Sequence, residues 1–227
     1  MKTYHAVKAE SFNQNTTSTD ANTLSGALTV TGVLTATGGV VGNVTGDVSG
    51  AVTGNVTGDV IGVSMATAVP AGITGGVGTV ITSKITKAGH TILTQIFIDL
   101  TGLGSSTTDL DIIGVGTAAA YIGRILAAES GQIYAGKITC LEAATGGIND
   151  IDLYAVTEAT GKFDDGVAAL AETAIFTAGS AWTLNETAAA TAWPAANAYL
   201  YLTCGAAGTP GTYTAGQFLI EFWGYEA

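Results

Sequence analysis

Charge is scarce in this chain. Asp, Glu, Lys and Arg make up 11% of its 227 residues, against about 25% in an average soluble protein. Basic residues are the scarcer kind: 7 Lys and Arg stand against 18 acids, a net charge of −11. That balance argues against nucleic-acid binding, which depends on Lys and Arg to neutralise phosphates. Long apolar runs are missing too. No stretch of the length a membrane helix needs is free of Gly, Thr and Asp clusters, so membrane insertion is not expected. The opening residues, MKTYHAVKAESFNQ, lack the apolar region of a secretory signal, which points to synthesis in the cytosol. The two cysteines, Cys140 and Cys204, match no zinc or redox spacing and read as free, half-buried thiols.

Against these shortages stands an apolar and glycine-rich composition: 47% hydrophobic residues and 32 glycines. Disorder driven by charge is thereby excluded, because it needs low hydrophobicity and high charge. The aromatics are distributed unevenly. Tyr4 and Phe12 come first, and the next is Phe97; the rest lie between there and Tyr225. Three parts are expected: an extended attachment segment over 1–22, a Gly/Val/Thr repeat shaft with its connector over 23–76, and a β-domain over 77–227. The first part is polar (FNQNTTSTDAN) and electrically neutral, carrying Lys2, Lys8, Glu10 and Asp20.

The middle part is the most informative. It runs LSGALTVTGVLTATGG, with Gly26, Gly32 and Gly38 six apart. It continues GNVTGDVSGAVTGNVTGDVIG, with glycines four apart from Gly42 to Gly62. Collagen requires Gly at every third residue, so this is not collagen. Gly, Thr, Val and Asn at this density also disfavour a helix. The parity of positions decides the reading. Every even position from Leu24 to Gly62 is apolar, Leu28 and Leu34 among them, whereas the odd positions hold most of the Thr, Asn, Ser and Asp. Alternation at period 2 means extended chain with one buried face. Ordinary strands run roughly 3–10 residues, so this segment must bend repeatedly or wrap around identical chains. Three chains about one axis would stack Val44, Val48, Val52, Val56 and Val60 inward, with Gly where backbones approach. A flexible low-complexity linker has no reason to keep the parity.

These repeats resemble those of bacteriophage fibre and virion proteins, in which similar runs join an attachment segment to a compact terminal domain. The resemblance implies a homotrimeric virion component at the virion surface, with an intertwined β-prism or β-helix shaft.

From about residue 77 the chain reads as an all-β domain, with short strands separated by Gly, Asp, Ser or Thr turns. Ile92, Thr94, Ile96 and Ile98 share one face of a strand, and Leu93, Gln95, Phe97 and Asp99 the other. Ile151, Leu153 and Ala155 oppose Asp150, Asp152 and Tyr154. Tyr199 and Tyr201 oppose Leu200 and Leu202, and Phe218, Ile220 and Phe222 oppose Gln217, Leu219, Glu221 and Trp223. Eight or more such strands favour a β-sandwich of jelly-roll type. GVAALAETAIF (166–176) is open to a short helix or another strand.

Candidate chemistry is sparse, and no catalytic residue is assigned. His5 lies in the polar segment, and His90 in a KAGHT turn reads as a turn or interface residue. The pairs Asp109/Asp111, Asp150/Asp152 and Asp164/Asp165 could supply oxygen ligands to a structural Ca²⁺ or a carboxylate pair to a glycoside hydrolase. The first two pairs are expected to be solvent-facing strand positions, and FDDG a turn. Trp182, Trp193 and Trp223 suggest sugar stacking, but read first as core or trimer-interface residues. No cofactor is expected.

The expectation for function is a structural virion protein: a short trimeric capsid fibre or decoration protein, its neutral segment holding the phage capsid or another virion protein through Tyr4 and Phe12. The alternative is a receptor-binding tail fibre recognising a host surface glycan, with a polysaccharide depolymerase behind it. The parity argument is directly testable. Val52→Asp sets a charge on the buried face of every chain, costing on the order of several kcal/mol per ion, whereas Thr53→Asp faces water. Light scattering and thermal unfolding should show loss of assembly for the first and not the second.

Overall fold

The computed structural model describes residues 64–226. Eleven strands form its framework, joined by antiparallel pairings throughout. They are β1 (Val80–Ala88), β2 (Thr91–Asp99), β3 (Gly104–Ser105), β4 (Gly123–Arg124), β5 (Gln132–Thr145) and β6 (Ile151–Val156). After these come β7 (Thr173–Phe176), β8 (Thr187–Ala189), β9 (Tyr199–Cys204), β10 (Gly211–Thr212) and β11 (Ala215–Tyr225). One sheet has five strands in the order β1-β2-β11-β5-β8, and a second has four in the order β4-β9-β6-β7. β3 and β10 make a small separate ladder. The fold class is therefore all-β, as the alternation predicts.

The turns follow local chemistry. β1 and β2 form a hairpin in which Ala88 faces Thr91 across Gly89 and His90. Gly89 takes φ +61°, a conformation that glycine adopts without a Cβ penalty. His90 thus occupies an exposed turn, as expected. FDDG is also a turn, with Asp164 at φ +70°. The open stretch 166–176 contains both alternatives, a 3₁₀ turn over Val167–Ala169 and then β7. Upstream of β1, Met65 and Ile73 are buried in the same core as the strands. Ile73 lies in the one-turn helix α1 (Ala71–Thr74), which follows Pro70. No helix among the described residues is long and apolar enough to cross a membrane.

Inward positions obey the predicted parity. Ile92, Thr94, Ile96 and Ile98 of β2 are buried, as are Phe218, Ile220 and Phe222 of β11. Across the core lie Ile151, Leu153 and Ala155 of β6 and Leu200, Leu202 and Cys204 of β9. Phe176 of β7 meets Phe222 with ring centroids 6.0 Å apart, and Trp182 meets Phe218 edge-on at 5.7 Å. Full burial of such side chains contributes about 1.5–3 kcal/mol each.

Outward positions of the second sheet depart from expectation. β6 is buried at all six residues. A loop folds over the far side of this sheet, where Tyr201 donates its hydroxyl to the Glu158 carbonyl, and residues 110–113 pair along the edge of β9, Ile113 N–H donating to Leu202 O. Asp111, Asp150 and Asp152 are consequently buried, not solvent-facing; only Asp109 of the two pairs is exposed. The thiols of Cys140 and Cys204 are free as predicted, but fully rather than half buried, because both point into the core.

The core contact between sheets sets one expectation. Phe222→Ala should cost about 3–5 kcal/mol, read as a lowered denaturant midpoint. Tyr225→Ala, at a residue 40% exposed on the same strand, should change stability by no more than about 1 kcal/mol.

Candidate functional site

The β6–β9 ladder carries two acids into a place where charge is costly. Its register sets Ile151 opposite Cys204 and Asp152 opposite Thr203. The ladder extends one step beyond the strands, where Gly205 N–H donates to the Asp150 carbonyl at 2.8 Å. Strand alternation then places Asp150, Asp152, Thr203 and Gly205 on one face. Asp150 is 7% exposed and Asp152 6%, and Thr203 is fully buried.

Gly205 leaves open the space between the acids. A Cβ on that residue would stand 2.6 Å from Asp150 Oδ1 and 3.0 Å from Asp152 Oδ1, so both oxygens border one small volume. Asp152 Oδ1 accepts a hydrogen bond from Ala178 N–H at 2.9 Å. Among the described residues, Asp150 Oδ1 and Thr203 Oγ1 have no hydrogen-bond partner. Burial pushes the Asp152 carboxyl up to about 6, against the Ala178 hydrogen bond and with the charges of Asp150 and Asp109 adding to it. Asp150 is also raised, first by burial and then by the charge of Asp109, partly offset by the Ser180 N–H.

The remaining sequence candidates fall elsewhere. Asp111 and Asp164 both reach the buried Ser106 hydroxyl, the former at 2.7 Å. Asp165 accepts from Lys162 N–H within its own turn at 3.0 Å. Among the described residues, no three His, Cys, Asp or Glu side chains converge as a metal-binding group. Trp182 belongs to the core, its Nε1–H donating to Ile151 O at 2.7 Å. Trp193 is 46% exposed and borders an open groove of about 710 Å³ floored by Ile92, Ile125 and Ile133, with the Lys87–Glu226 ion pair at its lip. Burial raises the thiol of Cys140, and that of Cys204 to about 11, which keeps both as thiols at neutral pH. Leu28, Leu34, Val44, Val48, Val52, Val56, Val60, Tyr4 and Phe12 lie outside the described residues.

Sequence reasoning placed Asp150 and Asp152 on one face but missed their burial, and did not single out Thr203 or Gly205. The signal available was the run YLYLTC before Gly205: a nearly continuous apolar strand is one covered on both faces.

No family model, curated protein or solved structure matches this chain.

The raised Asp152 carboxyl has a signed consequence. The folded state keeps its proton up to about pH 6, whereas the unfolded chain releases it near 3.8. Between those values the folded state binds more protons, so this group lowers stability as pH rises. In buffer free of divalent cations, Asp152→Asn should be more stable than the parent at pH 7, by up to about 3 kcal/mol. The difference should shrink towards zero near pH 4 in denaturant titrations.

Proposed function

We propose that this chain is a homotrimeric structural protein of a bacteriophage virion, a short capsid fibre or decoration protein that is fixed by residues 1–22 and displays its C-terminal domain. The observation that carries the proposal is the unbroken apolar parity of residues 24–62. Twenty successive inward positions without a polar side chain, half of them glycine or alanine-sized, need a partner as long as themselves, and an identical chain supplies it. The resemblance to phage fibre repeats supports the same reading.

The strand order of the C-terminal domain supports a jelly-roll head. Omitting β1 and the small ladder, the sheets run β2-β11-β5-β8 and β4-β9-β6-β7, and the chain repeatedly crosses from one sheet to the other. Two interleaved four-stranded antiparallel sheets of this order support the jelly-roll reading, a fold of capsid and lectin domains. The head is read as a display module and not as an enzyme.

One observation favours the alternative of a receptor-binding tail fibre. Trp193 offers a half-exposed indole beside a groove, the kind of surface on which a sugar ring of a host glycan stacks.

In solution the chain should have three times the mass of one 22.6 kDa chain by light scattering. Deleting residues 1–22 should leave a folded trimer that no longer joins particles, because the neutral segment makes the contact and the acidic remainder does not. A monodisperse folded monomer, or normal occupancy by the truncated protein, overturns the proposal.

A further inference from the structure

The end of the β6–β9 ladder holds more negative charge than its surroundings satisfy. Asp150 and Asp152 are both buried, and Asp109, exposed at the rim, adds its field to theirs. The side-chain ion pairs among the described residues, Lys87–Glu226 and Lys137–Glu221, do not reach these acids. Two backbone N–H groups, those of Ala178 and Ser180, are the donors that face them. Independently of the acids as a group, two buried oxygens there have no partner among the described residues: Asp150 Oδ1 and, cross-strand from Asp152, Thr203 Oγ1. A buried oxygen without a donor costs free energy unless something fills the gap.

We propose that Asp150 and Asp152 bind a Ca²⁺ ion in the space left open by Gly205, with Thr203 Oγ1 as a neutral oxygen beside them. The chemistry fits a hard cation. Every side-chain group offered is oxygen, two of them anionic, and two oxygens bordering one small volume can close on one ion at the calcium–oxygen distance of about 2.3–2.6 Å. Calcium accepts an irregular shell of 6–8 or so oxygens completed by water and backbone carbonyls, whereas magnesium demands a regular octahedron. Glycine at 205 has a role here that a larger residue would end, since its Cβ would press on Asp150 Oδ1. With two charged ligands the site is a weak one, of the sort suited to millimolar calcium outside cells. The inference does not depend on the chain being a trimer or a virion protein.

The test uses the full chain after chelator treatment. Ca²⁺ at about 10 mM, well above the dissociation constant of a weak extracellular-type site, should raise the unfolding temperature by several degrees, roughly 5–10 °C at hundredfold excess over that constant. Mg²⁺ should raise it much less. Asp47 and Asp59 of the repeats are further oxygen donors, so the site is assigned with Asp150→Asn and Asp152→Asn. Each variant should lose most of the calcium shift while unfolding in chelator no earlier than the parent, an outcome that a merely structural role for the acids does not produce. A second readout needs no variant. Tb³⁺ should show emission sensitised by Trp182, whose indole is hydrogen-bonded to Ile151 O between the two acids, and Ca²⁺ should quench it by competition. A calcium shift below about 1 °C, an undiminished shift in both variants, equal stabilisation by Mg²⁺, or no sensitised terbium emission would each overturn the proposal.

Discussion

The apolar contact between the two sheets is the interaction on which the rest of residues 64–226 depends. Neither sheet is stable by itself, because a strand with one apolar face must bury it against another layer. Here β2 and β11 provide Ile96, Ile98, Phe218, Ile220 and Phe222, and β6 and β9 answer with Ile151, Leu153, Leu200 and Leu202. With so few charges in the sequence, surface ion pairs cannot contribute much, and exposed ones are weak in any case. Lys87–Glu226 is of that kind, half-exposed at both ends. The stability of the domain therefore lies in shape-matched burial, and the aromatic contacts Phe176–Phe222 and Trp182–Phe218 sit in its middle.

The two sheets solve the problem of their outer faces differently. The four-stranded sheet is roofed by the loop around residues 157–170, which is why Tyr201 is fully buried, its hydroxyl bonded to the Glu158 carbonyl, and burial pushes it up to about 12. Among the described residues, the outer face of the five-stranded sheet is covered less completely. Leu93, Phe97, Leu219 and Trp223 are half-buried there, among the hydrogen bonds Gln95–Glu221 and Gln217–Asp99 and the Lys137–Glu221 ion pair. Asp99 shows the balance: burial raises its carboxyl, but hydrogen bonds from Thr101 and Gln217 outweigh that and hold it below the ordinary value.

That asymmetry explains which features could be read from residue order. β2 and β11 alternate strictly because one face is core and the other is not, so parity alone located them. β6 and β9 lost that contrast under the roof. Their inward sets were legible, but Asp150 and Asp152 were not recognisable as buried, since the groups that act on them lie at 109 and 178–180, far away in the chain. Asp→surface is the usual assignment because unpaired buried carboxylates are rare. It fails where the fold tolerates an uncompensated site. The short strands β3, β4, β8 and β10 have two or three residues each, too few for any periodicity to show.

Where the basic residues stand completes the argument. Lys84, Lys87, Arg124, Lys137 and Lys162 are the only cations downstream of residue 22. Lys84 and Lys87 lie on β1, the long edge strand of the five-stranded sheet among the described residues. An edge nine residues long invites further strands from other copies, and lysine there opposes that growth because pairing would strip its water. Arg124 sits on the short strand β4 at the edge of the other sheet, its guanidinium 4.8 Å from the Tyr199 ring centroid. Repeated addition of strand to strand does not terminate, and charged side chains on an edge strand of each sheet oppose it. In this domain that protection is made with two lysines on β1 and one arginine on β4, in a chain that has few cations to place.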